Sequence, residues 1–463
     1  MGETNAHPFI PNSAPRARAR ALEAVGISSV EELYATVPDR VRFKGNMDLP
    51  EPIRSEAALR RHLEEIVGRN RSAEESLNFL GAGCWQHYVP AVCDEIANRS
   101  EFVTAYGGAQ FGDHGKWQAL FEYQSLLGDL IGMDVVSTPT YDWGAAAGSA
   151  ILMACRYTGR NEVLVPASVS ADHYSQLYNF VRPVASIGRV RMDPVTGLMD
   201  LADLGAKASD RTAAVYFENP TFLGGIELGA PDIVEVARGV GSLSVVGVDP
   251  ITLGVIAPPG EYGADLVVGD IQPLGIHMHG GGGLAGFIAS RDEPDIVAEY
   301  NAVLISAAPG AGEGEVGFSY STFERTSYEK RGVSPDYTGT TQWLWGIVAG
   351  VYLSLMGPRG MRELGETIMQ RSAYAAERLG ELDGVRSPAL SGPFFKEFVV
   401  DFSGCGRSVE EINAALVERG IFGGYNLSGE FPQMGQTALY CVTEVHDRPE
   451  IDRLGVALSE VLN

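Results

Sequence analysis

Lysine is scarce in this chain, with five in 463 residues: Lys44, Lys116, Lys207, Lys330 and Lys396. All basic residues number 35 against 59 acidic ones, which leaves a formal charge of −24. Such a surface repels nucleic-acid phosphates and anionic membranes and excludes both as partners. Cysteine is also sparse. Cys84, Cys93, Cys155, Cys405 and Cys441 have no CxxC spacing, which suits reduced, mostly buried thiols rather than a disulfide framework or a zinc site. No apolar run reaches membrane-spanning length. The opening MGETNAHPFIPNS holds no apolar core of signal-peptide length, and Gly2 lacks the Ser or Thr of a myristoylation signal. A cytoplasmic location is the expectation. No G-x-S-x-G, Walker A or GxGxxG occurs in its proper context, which weighs against a serine hydrolase, an NTPase and a dinucleotide enzyme.

What is present reads as a globular protein, 45% hydrophobic and 20% charged. Residues 1–75 suggest an arm of capped helices, at 15–25, from Ser29 and at 55–68. An amphipathic helix follows at 117–131, then a loop runs into a small-residue helix that continues to Arg156. From 163 short apolar strands alternate with helices, at 163–166, 213–217, 244–249 and 266–268. Each strand ends in a polar loop. This rhythm predicts a mostly parallel, doubly covered sheet with ligand loops at the strands' carboxyl ends. The glycine-rich stretch 307–317 reads as mobile. Helices at 341–355, 361–380, 408–419 and 447–462, with strands at 394–402 and 438–443, suggest a C-terminal α+β unit.

One stretch carries the most chemistry. Val267 and Val268 lead to Gly269-Asp270. His277, Met278 and His279 follow, then four glycines, Gly280 to Gly283, and a further apolar run. Two histidines at i, i+2 without a convincing third ligand are a weak metal signal beside a simple polar turn. The glycines suit a phosphate cradle or close backbone packing equally.

Other residues carry a family resemblance. They include Gly81-Ala82-Gly83 with His87 and Pro90, Thr104-Ala105-Tyr106, Leu120 to Gln124, Tyr141-Asp142 and Glu218-Asn219-Pro220. The set continues with Asp249-Pro250, PPGEYGAD at 258–265, Gln272-Pro273-Leu274-Gly275, Phe395 with Glu397 to Val400, and Cys441 to Glu444. From about Asn78 to the end the chain resembles subunit 1 of the two-subunit glycine dehydrogenase (decarboxylating), the glycine cleavage system P-protein.

The resemblance implies an α/β, pyridoxal-phosphate (PLP) transferase fold of type I. It further implies a large domain at 76–335, a small α+β domain at 336–463 and the arm at 1–75. In that family subunit 1 lacks the Schiff-base lysine, while subunit 2 binds PLP and the two assemble as α2β2. Counting eight residues on from Asp270, as in the lysine-bearing subunit, lands on Met278, whose thioether cannot form an imine. PLP is therefore expected on the partner, with this chain as lid and wall of a shared site and a lipoyl carrier protein receiving the product. His87, Tyr106, Gln110, Asp113, His114, Tyr141, Asp142 and Asn219 are the expected site-lining residues. Asp249, His277 and His279 are expected relics of a cofactor site.

The chain also departs from the pattern. The loop after Tyr106 reads Gly107 to Gly115 where relatives carry a proline- and tyrosine-rich segment, and it brings the pair Asp113-His114, whose imidazole titrates near working pH. These changes suggest a divergent paralogue acting on another amino acid or on a modified glycine. A non-catalytic scaffold subunit, and an enzyme holding its own coenzyme non-covalently, are the competing readings.

Overall fold

The protein is described by a computed structural model covering residues 10–45, 47–103, 114–302, 304–327, 332, 336, 338–339 and 341–463. It divides into two compact units, residues 1–71 and 72–463. In the first, α1 (Pro15–Val25) starts on a proline and ends at Gly26 in the left-handed conformation, and α2 (Glu56–Val67) is capped by the Ser55 hydroxyl, which accepts from the Ala58 N–H. Proline at N1 and glycine at C′ start and stop a helix at little cost.

The second unit is built on a seven-stranded sheet. In chain order its strands are β1 (Val135–Val136), β2 (Glu162–Pro166), β3 (Ser186–Val190), β4 (Thr212–Glu218), β5 (Leu243–Val248), β6 (Leu266–Asp270) and β7 (Gly286–Ser290). Their spatial order is β1-β7-β6-β5-β4-β2-β3. The pairs from β6 to β3 are parallel, while β7 pairs antiparallel with both β6 and β1. Strands β4, β5 and β6 are buried along their whole length, as expected of parallel strands covered on both faces. The mostly parallel α/β architecture expected from the sequence is therefore observed.

One cover is α3 (His114–Ile131), which starts a turn earlier than the periodicity suggested. The other is α4 (Trp143–Thr158), buried from Trp143 to Cys155 because its alanines and glycines let neighbours approach on every side. Asp142 caps α4 by accepting from the Ala145 N–H at 2.7 Å. Helix α5 (Ala171–Val181) packs on α4, and an added Cβ at Gly148 would come 2.6 Å from the Phe180 ring.

The stretch 307–317 is not an open loop. Ile305–Pro309 and Val316–Tyr320 pair as an antiparallel hairpin with Gly310, Gly312 and Gly314 in the turn and Gly317 opposite Ala308 in the ladder. The two helices read near 341–380 form one run, α6 (Trp343–Gly380), broken only at Gly357 with φ +59° ahead of Pro358. Beyond it, β8 (Glu397–Asp401), β9 (Tyr425–Asn426) and β10 (Thr437–Cys441) form an antiparallel sheet in the order β8-β10-β9.

A connecting strand passes between the two sheets. Leu77 and Asn78 pair with Ile421 and Phe422, the Cys441 N–H donates to the Phe79 carbonyl, and Thr443 Oγ1 donates to the Gln86 carbonyl. These bonds deliver Trp85 and His87 to the carboxyl ends of β5 and β6. Among the described residues no helix is long and apolar enough to cross a membrane.

Candidate functional site

At the carboxyl end of β5 the apolar run stops at Asp249, and Pro250 ends the strand. Asp249 Oδ1 accepts the Ile251 N–H at 3.1 Å, so one oxygen caps the short helix 250–254. The other oxygen meets an ammonium. Lys396 Nζ lies 2.8 Å from Asp249 Oδ2, and both side chains are almost completely buried, 3% and 4% exposed. Lys396 stands one residue before β8, and its carbonyl accepts the Val442 N–H, which locks the backbone in place.

Two further groups complete the ammonium's surroundings. His87 Nε2 is 3.1 Å from Lys396 Nζ, and the indole of Trp85 lies beneath it with its ring centre 3.6 Å away. The contact with Nζ makes Nε2 the acceptor, so Nδ1 carries the imidazole proton and donates to Glu444 Oε2 at 2.8 Å. Glu444 Oε1 accepts the Tyr88 N–H at 2.7 Å. Burial opposes the Glu444 charge, but His87 and the Tyr88 N–H outweigh it and pull the carboxyl down to about 2. A continuous buried chain thus runs Glu444–His87–Lys396–Asp249.

The opposite wall is a second network. The Trp143 indole donates to the Tyr216 hydroxyl at 3.0 Å, Tyr216 donates to Glu218 Oε1 at 2.8 Å, and His173 Nδ1 reaches the same oxygen at 2.9 Å. Burial works against a charged His173, yet the Glu218 carboxylate outweighs it and raises the imidazole's pKa. Gly247 makes this wall possible, since an added Cβ there would come 2.7 Å from the Trp143 ring. Beside it, burial pushes Glu397 up to about 7 against the Ala82 N–H and the Lys396 charge.

Between these walls remains a cavity of about 30 Å3, lined in part by Trp85, Trp143, His173, Asp249 and Lys396. That is room for one or two waters, not for an aromatic coenzyme with its phosphate. The residues present therefore do not fit PLP. The strand-end carboxylate is already paired, and the crevice is filled by side chains.

The other expected site residues are placed as follows. His87 and Asp249 belong to the chain just described. Asn219 is buried and holds the backbone, its Oδ1 accepting the Glu227 N–H at 3.0 Å. Asp142 is a helix cap, and Tyr141 is 43% exposed. His277 and His279 lie on the loop between β6 and β7. The first pairs with Asp94 at 2.9 Å while exposed, and the second stacks on Trp345. Met278 is on the same loop, its carbonyl 3.9 Å from Cys84 Sγ. No cluster of three metal-ligating groups occurs among the described residues. Tyr106, Gln110 and Asp113 lie outside the described residues, as does the side chain of His114, the first residue of α3.

Lys396, Trp85 and Trp143 were not foreseen. One signal did exist: a Lys-Glu pair interrupts the apolar run FFKEFVV at 394–400 in a lysine-poor chain, and buried charges are rarely left unpaired.

A model of the family described as glycine cleavage system P-protein matches residues 7–456. A protein named "Probable glycine dehydrogenase (decarboxylating) subunit 1" from Staphylothermus marinus is 36% identical over 468 residues, covering 99% of each chain. One of the same name from Thermococcus onnurineus is 37% identical over 455 residues, 98% of this chain and 99% of that one. The crystal structure of glycine decarboxylase (P-protein) of the glycine cleavage system, in inhibitor-bound form, superposes with a TM-score of 0.86 at 31% identity. It covers 99% of this chain and 100% of that one. A sphingosine-1-phosphate lyase from Burkholderia pseudomallei shares the fold at a TM-score of 0.60 and 15% identity, covering 92% of this chain and 94% of that one.

Proposed function

Because the chain belongs to the glycine cleavage system P-protein family, we propose that it is the lysine-less subunit of a two-subunit glycine decarboxylase-like enzyme, paired with a PLP-binding subunit 2. The observation that carries this reading is Met278. The loop after the Asp270 strand end holds a thioether where an amine is required for an imine. Lys396, the lysine at the crevice, is paired with Asp249 instead. Coenzyme chemistry is thereby left to the partner, and this chain's part is to enclose the shared site, orient the substrate carboxylate and exclude water. We extend the proposal to an α2β2 assembly, to product transfer onto a lipoyl carrier and to a cytoplasmic location.

The altered loop sequence 107–115 supports a substrate other than glycine, or a modified glycine, with Asp113 and His114 as the residues we assign to it. Co-purification of the two subunits, coenzyme absorbance measured on each, and an amino-acid decarboxylation screen on the pair test the reading. Coenzyme is expected on the partner alone and turnover from the pair alone. Partner activity undiminished without this chain would instead support the scaffold reading. Asp113→Ala and His114→Ala are expected to lower turnover by the pair about 10-fold or more, and unchanged turnover in both removes the substrate-loop assignment.

A further inference from the structure

We infer that Lys396 is a built-in occupant of this chain's own coenzyme crevice. Its ammonium stands against the strand-end carboxylate, in the place where a protonated ring nitrogen would pair with an acid, and it holds the crevice permanently closed.

The ammonium is satisfied as a bound cation would be. It has a carboxylate at 2.8 Å, an imidazole nitrogen at 3.1 Å and an aromatic face at 3.6 Å. Asp249 and Trp85 thus give it a counter-charge and a π-face together. His87 is set as an acceptor by Glu444 on its far side, so the polarity of the whole chain of groups is fixed by the cation at its end. The Trp85 main chain is held by Gln272, whose Oε1 accepts from the backbone N–H at 3.1 Å and whose Nε2 donates to the carbonyl at 2.9 Å. Gln272 follows β6 closely and so ties the Trp85 backbone to the base of the loop carrying Met278. What would be cofactor contacts thus become internal contacts, drawn from β5, from the segment 77–89 and from the entrance to β8.

An enclosed carboxylate left without its counter-charge is strongly unfavourable, whereas removing both charges together is nearly neutral. The occupant's role is therefore to neutralise Asp249, which it does without any partner. Alongside the subunit reading above, on which only this consequence rests, it also means that one of the pair's two crevices is closed to coenzyme.

The test uses the full-length chain. Lys396→Met and Asp249→Asn are each expected to lower the melting temperature by several degrees, and the double variant to recover most of the loss. Additive losses, or a double variant no more stable than the worse single one, would overturn the inference. Lys396→Ala leaves a void beside the carboxylate, so n-propylammonium at tens of millimolar is expected to raise its melting temperature well beyond the effect on wild type, while sodium chloride at equal ionic strength does not. Equal responses to the two salts would also overturn it. Pyridoxal phosphate titrated into the wild-type chain is expected to leave absorbance and melting unchanged, and uptake of one equivalent that Asp249→Asn abolishes would refute the occupancy. These readouts concern this chain alone, so they are unaffected if the two-subunit reading fails.

Discussion

The Ala285 amide donates to Oδ1 of Asp270 at 2.9 Å, and the Gln272 amide donates to the same oxygen at 2.8 Å. The last residue of β6 thus closes the loop 271–284 at both ends, with His277, Met278 and His279 between. The second oxygen, Oδ2, meets no hydrogen-bond donor among the described residues. Burial raises this carboxyl to about 7 despite its amide bonds.

A pH dependence follows. Unfolded, Asp270 loses its proton near its ordinary value of 3.8, whereas folded it keeps it to about 7. The folded state therefore binds more protons between those values, and stability falls as pH rises through that window, then levels off. Asp270→Asn, neutral throughout, is expected to melt like wild type at acid pH and to gain a few kcal/mol near pH 8, because each tenfold difference in proton affinity between the two states is worth about 1.4 kcal/mol. Denaturant titrations across that range measure it, and an unchanged slope would show the aspartate already charged in the folded protein.

Glu444 has the opposite sign. Its folded value near 2 lies below its ordinary 4.5, so its contribution is complete above about 4.5 and is lost as pH falls towards 2. Glu444→Gln weakens the bond to His87 and the Tyr88 amide. The expected loss is about 2 kcal/mol at neutral pH, shrinking in acid, as read from parallel melts of the two proteins.

At Gly247 the prediction is steric. A methyl group there would stand 2.7 Å from the Trp143 indole, which is itself fixed by Tyr216. Gly247→Ala is expected to cost about 1–3 kcal/mol and to blue-shift or broaden tryptophan fluorescence as Trp143 is displaced. Wild-type stability with unchanged fluorescence would mean that the wall yields freely.

Met278→Lys places an amine on the loop but does not open a crevice to receive the ring. Borohydride reduction after incubation with pyridoxal phosphate, followed by peptide mapping, is expected to find no coenzyme at position 278 above the labelling of surface lysines. Stoichiometric labelling there would show that the missing amine alone keeps the coenzyme out.

Much of this protein was determined locally. Runs such as Thr212–Glu218 and Leu243–Val248 are apolar and β-branched enough to specify buried parallel strands, and Asp249-Pro250 marks where a strand must stop. Met278 takes on meaning only through the family resemblance, which sets the expectation of an amine at that count from Asp270. The hairpin at 305–320 was less legible, because glycines read as looseness until strand pairing fixes their turn. The meeting of Lys396 with Asp249, Trp85 and His87 was decided only by tertiary structure. Those residues lie on segments far apart in sequence, and no periodicity records which of them will share a cavity. A buried ammonium requires a counter-charge and acceptors, but which ones it finds depends on how β8 and the segment 77–89 are carried to the ends of β5 and β6.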